Sequence, residues 1–87
     1  MRLVLYGRSD CHLCHEMRAV VDRVRRDMAF ELEEVDVDGD PALVAAYGHE
    51  VPVLLVNGRR AFKYRVDPEA LRARLAREPA DTAPARG

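Results

Sequence analysis

The chain of 87 residues has room for one small domain, since domains generally run from about 50 to 200 residues, and a second is excluded. With 48% hydrophobic and 33% charged residues, it reads as a globular protein that folds unaided, neither a disordered tail nor a membrane span. Fourteen basic against fifteen acidic residues leave a net charge of −1, which excludes the bulk positive field that holds nucleic acid or anionic lipid.

Arg2 opens the short apolar run RLVLY, the pattern of a strand buried on both faces. The run is shorter than the roughly 7 to 15 apolar residues of a secretory signal, so a cytoplasmic protein is expected. A helix follows, in which Leu13, Met17, Val20, Val21, Val24 and Met28 recur at spacings of three and four, while Arg18, Asp22, Arg23, Arg25 and Arg26 take the other positions. Ser9 or Asp10 is the expected N-cap. In FELEEVDVD the alternation slips between Leu32 and Val35, which predicts a short edge strand at Val35 and Val37, with Phe30 and Leu32 packing its approach.

Asp40 as N-cap, Pro41 at the first helical position and Gly48 as stop bracket a second helix. VPVLLV reads as a central strand, and Asn57-Gly58 is the strongest two-residue hairpin signal, leading into the alternating Phe62, Tyr64 and Val66. Asp67-Pro68 repeats the cap-plus-proline device and opens a last helix, with Leu71 and Leu75 inward and Arg72, Arg74 and Arg77 outward, a solvated face rather than a nucleic-acid contact. The domain is predicted over residues 1–77, and residues 78–87, with two prolines and no large apolar side chain, read as a flexible tail. A helical crossover makes the first two strands parallel, and the hairpin makes the last two antiparallel. The predicted fold is therefore α/β: a four-stranded mixed sheet in the order β-α-β-α-β-β-α, with helices on both faces.

The chemistry concentrates in GRSDCHLCHEM, residues 7–17. A lone C-x-x-C in a reducing compartment is more often a metal or redox site than a structural staple. Cys11 falls where the first strand has ended and the first helix begins, a position that stabilises anions, and residues three apart on a helix can close a disulfide after small adjustment. Cys14 lies beside the buried stripe while Cys11 can face water, which suits a shielded resolving thiol and an attacking one. A free thiol with a pKa of about 8.5 is only a few per cent thiolate at pH 7. A helix terminus supplies up to ~2 kcal/mol toward the anion; Arg8 and His12 add positive potential and Asp10 opposes it. The expected reaction is dithiol–disulfide exchange, with Cys11 as nucleophile, Cys14 as resolving thiol and no bound cofactor.

The same residues leave alternatives open. CHLCH fits C-x-x-C-H, the attachment pattern of c-type haem. A zinc or iron–sulfur site would draw on Cys11, Cys14 and a histidine, and would need further ligands from a second subunit or a small thiol. A non-catalytic binding module that keeps the fold is the third alternative.

LYGRSDCHLC, the internal VPV and the hairpin-helix ending together resemble the glutaredoxin branch of the thioredoxin superfamily, over residues 1 to about 77. The resemblance implies that Pro52 is cis and lies against Cys11, and that the Val51 backbone pairs with the substrate as an added short strand. It places Arg8 where glutaredoxins usually carry a basic residue that meets the glutathione carboxylate, and Asp67 near the glutathione amine, beside its plain role as an N-cap. Glutathione is then the candidate reductant, and the partner is a disulfide-bearing protein or a glutathione mixed disulfide. Neither nucleic acid nor membrane is an expected partner, and the expected state is a monomer. Two departures stand out: His12-Leu13 replaces the usual Pro-Tyr between the cysteines, and Tyr64-Arg65-Val66 replaces the glycine pair before the last helix.

Overall fold

The computed structural model describes residues 1–78. Its elements are β1 (Arg2–Gly7), α1 (His12–Arg25), β2 (Glu31–Asp36), a single 3-10 turn (Val37–Gly39), α2 (Pro41–Tyr47), β3 (Val53–Val56), β4 (Arg59–Lys63) and α3 (Pro68–Ala76). The strands form one mixed sheet in the order β2-β1-β3-β4. β1 runs parallel to β2, with Leu3 opposite Leu32, and antiparallel to β3, with Leu3 opposite Val56. β3 and β4 are antiparallel, with a bulge at Leu54/Leu55, and are joined by a tight turn in which Asn57 (φ 49°) and Gly58 (φ 84°) are both left-handed, as a two-residue hairpin requires. The fold class read from the sequence is the fold observed.

Alternation along the central strands sends Leu3, Leu5, Leu54 and Val56 to one face, where they pack with Met17, Val21 and Val24 of α1, Phe30, and Leu71 and Leu75 of α3. Val53 and Leu55 are buried on the other face. There Tyr6 stacks on Tyr47 of α2, ring centroids 4.4 Å apart, and the Arg60 guanidinium lies 4.8 Å from the Tyr47 centroid. Helix α2 buries no residue completely, so this aromatic–cation stack is a main tie between it and the sheet. Among the described residues, no helix is long and apolar enough to cross a membrane.

Several expectations need correction. β2 begins at Glu31 and takes in Leu32, whereas Val37 leaves the strand and is fully buried in the 3-10 turn. The chain bends there because the Asp36 carboxylate accepts the Asp38 N–H at 2.9 Å, an Asx turn that competes with the ladder. Helix α1 stops at Arg25, and Met28 packs on the core from the following turn. Gly48 ends α2 in a right-handed conformation (φ −56°), and its lack of a side chain matters sterically: a β-carbon there would lie 2.5 Å from the Val44 carbonyl oxygen. β4 stops at Lys63, so Tyr64 and Val66 belong to a loop. Arg72 and Arg74 are half-buried rather than fully outward, reaching Asp27 (2.6 Å) and Glu78 respectively.

The outer strands carry opposite charge, Glu31, Glu33 and Glu34 on β2 and Arg59, Arg60 and Lys63 on β4, which blunts both open edges. Asn57 fastens the start of the domain to its end: its N–H donates to the Arg2 carbonyl (2.8 Å), its Oδ1 accepts the Arg2 N–H (2.9 Å), and its Nδ2 donates to Glu78 (2.7 Å). Hydrogen bonds from Arg74 and Asn57 hold the Glu78 carboxyl below its usual pKa, as Arg60 and Lys63 do for Glu50. The tail expected from residue 78 falls, from residue 79 onward, outside the described residues.

Candidate active site

The polypeptide leaves β1 at Gly7 and enters α1 at His12, so residues 8–11 form the crossing from sheet to helix. Cys11 itself is the N-cap, with extended φ/ψ (−98°, 115°). Its Sγ accepts the Cys14 N–H at 3.1 Å, and its own N–H donates to the Arg8 carbonyl at 3.3 Å. The expected caps, Ser9 and Asp10, lie exposed before the helix. Sulfur therefore occupies the place where an oxygen usually meets the orphan amides of a first turn, and those amides stabilise a negative charge on it.

Cys11 and Cys14 form a disulfide with Cα atoms 5.2 Å apart. Cys11 is half-buried and Cys14 is 5% exposed. Gly7, which sequence reasoning passed over, makes room for the inner sulfur: a β-carbon added at Gly7 would come within 3.0 Å of Cys14 Sγ and 3.2 Å of its Cβ. A glycine closing an apolar strand is the signal that could have marked it, since glycine in a strand often marks close approach.

The Val51–Pro52 peptide bond is cis, and Pro52 is buried. Among the described residues, no hydrogen bond engages the Val51 backbone. The Pro52 carbonyl accepts the Tyr64 N–H at 2.9 Å, and the Tyr64 hydroxyl reaches the His49 carbonyl at 3.4 Å. Tyr64 has a left-handed backbone (φ 69°) and is 42% exposed. The chain thus bends at Tyr64 with a conformation that suits glycine, the residue expected in this stretch by resemblance, and a non-glycine side chain there costs about 1–2 kcal/mol. No sequence signal marks a tyrosine for this conformation.

Arg8 does not stand free. Its Nε pairs with Asp38 at 3.1 Å, and its guanidinium lies beside Gly48. Asp67 caps α3, accepting the N–H groups of Glu69 (2.9 Å) and Ala70 (3.2 Å), both on Oδ2, so that Oδ1 keeps its capacity. His12 pairs with Glu16 (2.7 Å), which also meets Arg65 (3.5 Å). The structure joins Cys11 and Cys14 directly and links the Pro52 loop to Tyr64, and Asp67, at the head of α3, borders a cleft with Tyr64, Glu16 and Met17. Among the described residues, no group of three or more His, Cys, Asp or Glu side chains gathers to hold a metal ion.

Residues 2–76 match the family model described as Glutaredoxin-like domain (DUF836). The chain belongs to this glutaredoxin-like family. An uncharacterized protein of Mycobacterium tuberculosis is 32% identical over 78 residues, covering 84% of this chain and 80% of the relative. Among solved structures, a structural-genomics target protein from X. campestris is 39% identical, with a TM-score of 0.76 over 88% of this chain and 99% of that one. The glutaredoxin-like protein NrdH-redoxin from Escherichia coli, whose structure is described as the basis of a thioredoxin-like activity profile, is 25% identical, with a TM-score of 0.59 over 92% of this chain and 99% of that one. A glutaredoxin-like domain with its C-x-x-C pair within bonding distance is what the chain and these relatives establish together.

Proposed function

We propose that this glutaredoxin-like protein is a dithiol thiol–disulfide oxidoreductase of a reducing, cytoplasmic compartment. The Cys11 thiolate attacks one sulfur of a substrate disulfide, forming a mixed disulfide and releasing the other half as a thiol. Cys14 then attacks Cys11 Sγ, expelling the second half and leaving the Cys11–Cys14 bond. The observation that carries this reading is the Cys14 N–H donated to Cys11 Sγ at the start of α1, which lowers the cost of the anion where the thiol also reaches solvent. The thioredoxin-like activity described for the E. coli neighbour supports it.

Val51, with its unpaired backbone beside the cis proline, pairs with an extended substrate segment next to the reacting disulfide. The substrate is a disulfide-bearing protein or a glutathione mixed disulfide, and glutathione is the candidate reductant. For glutathione, the unused Asp67 Oδ1 accepts the ammonium, and Arg8 meets a carboxylate by exchanging it for Asp38. The protein acts as a monomer without a bound cofactor.

Mass spectrometry tests the roles. Reduced wild-type protein loses two hydrogens on oxidation, Cys14→Ser traps a mixed disulfide, and Cys11→Ser does not react. Equal reactivity of the two variants, or a zinc or cluster mass on the native protein, overturns the reading.

A further inference from the structure

Cys14 must shed a proton to act, yet it is 5% exposed, and burial in apolar surroundings makes a thiol harder to ionise. Among the described residues, no polar or charged side chain is buried, so no interior acid or base lies ready to receive that proton. Cys14 is, however, a wall of a cleft of about 410 Å³ that opens between β1, α1 and β2. Gly7 lines the same cleft, and its missing side chain leaves bare the wall beside the sulfur.

The charged groups facing this cleft are Arg8 from the segment after β1, His15 and Arg18 from α1, and Glu34 and Asp36 from β2. All but one are already engaged: Arg8 by Asp38, Arg18 by Asp22 and Glu34, and Asp36 by the Asp38 N–H. The His15 imidazole makes no ion pair or hydrogen bond among the described residues, unlike His12, which Glu16 holds.

We propose that His15 is the proton acceptor for Cys14, acting through water in the cleft behind the disulfide. The inference rests on the redox reading above and adds the path of one proton. In the resolving step, the Cys14 S–H proton passes to the imidazole, and the sulfur electron pair attacks Cys11 Sγ. The Cys11–Cys14 bond forms, the bond from Cys11 to the substrate breaks, and the substrate departs with that electron pair as a thiolate. The imidazolium returns its proton through solvent to the departing thiolate.

The test is stopped-flow oxidation of the reduced full chain by one equivalent of dithiobis(nitrobenzoate), which releases coloured thiolate once when Cys11 attacks and again when Cys14 resolves. In wild-type protein, both phases are seen, and the rate of the second is followed as a function of pH. In His15→Gln, the second phase slows about tenfold at pH 7, and its pH profile moves to higher pH than that of wild type. Added imidazole restores the rate, a response that a merely structural role would not give. A second phase in His15→Gln that coincides with wild type at every pH overturns the relay and leaves the redox reading standing. A wild-type protein with no first phase overturns both.

Discussion

Helices α1 and α3 begin with the same kind of hydrogen bond and differ in the atom that accepts it. At α3, and likewise at α2, an aspartate followed by proline holds the free amides with carboxylate oxygen. At α1, Cys11 takes the capping position, and its sulfur receives the Cys14 N–H. A carboxylate cap is charged at neutral pH and inert. A sulfur in the same place gains most from the same amides when it is a thiolate, so the device that fastens α3 makes α1 reactive.

The sharpest way to break this comparison is Cys11→Asp, which turns the start of α1 into a copy of the other two. Turnover should drop to the uncatalysed level in a disulfide-reduction assay, while reduced-state stability stays above that of Cys11→Ala, for which loss of the cap costs about 1 kcal/mol. Should Asp and Ala unfold at the same denaturant concentration, residue 11 does not act as a cap. Gly7→Ala comes next. Its new methyl meets the Cys14 sulfur, so a loss of about 1–3 kcal/mol is expected, together with slower closure of the disulfide. Unaltered unfolding and closure would show that Cys14 has slack the structure does not display.

Asp40→Ala tests the inert side of the comparison. It should cost about 1 kcal/mol in chemical denaturation and leave reduction of a small disulfide at the wild-type rate. A parallel fall in both would mean that α2 supports the site. The smallest effect concerns Glu50, whose carboxyl is held below its usual pKa first by Arg60 and then by Lys63. A depressed folded-state pKa contributes stability that is full above the unfolded value, about 4.3, and is lost as pH falls through the folded one. Glu50→Gln should therefore lower the melting temperature slightly at neutral pH and leave it unchanged at the acid end, which flattens the acid limb of the profile. An identical acid limb would remove the pair from the account.

What the sequence disclosed follows the same division. Aspartate–proline starts, the Asn57-Gly58 turn and the apolar runs of β1 and β3 are local signals, each tied to one backbone geometry, and they placed the sheet, the hairpin and two helix starts. The inward position of Cys14 was legible from the three-and-four spacing of α1. The cap at Cys11 was not, because Ser9 and Asp10 are better caps by composition and only the path of the chain from Gly7 onward passes them by. Tyr64 was read as strand because Phe62, Tyr64 and Val66 alternate, whereas its left-handed turn accompanies a hydrogen bond to the Pro52 carbonyl twelve residues upstream in the chain. Val37 continues an apolar alternation, but the Asp36 side chain bends the chain before it. In each case a contact distant in sequence, or a side chain turned back on the backbone, outweighed the pattern.

The Asn57 clasp gives the domain a polarity of its own. Arg2 and Glu78 are gripped by one amide side chain, so the first strand and the end of the described residues meet at a single pole, and the reactive sulfurs lie beyond the far end of β1, about 15–20 Å away at the usual rise of a six-residue strand. A cut or an insertion at this pole would therefore test the clasp without touching the sulfurs directly.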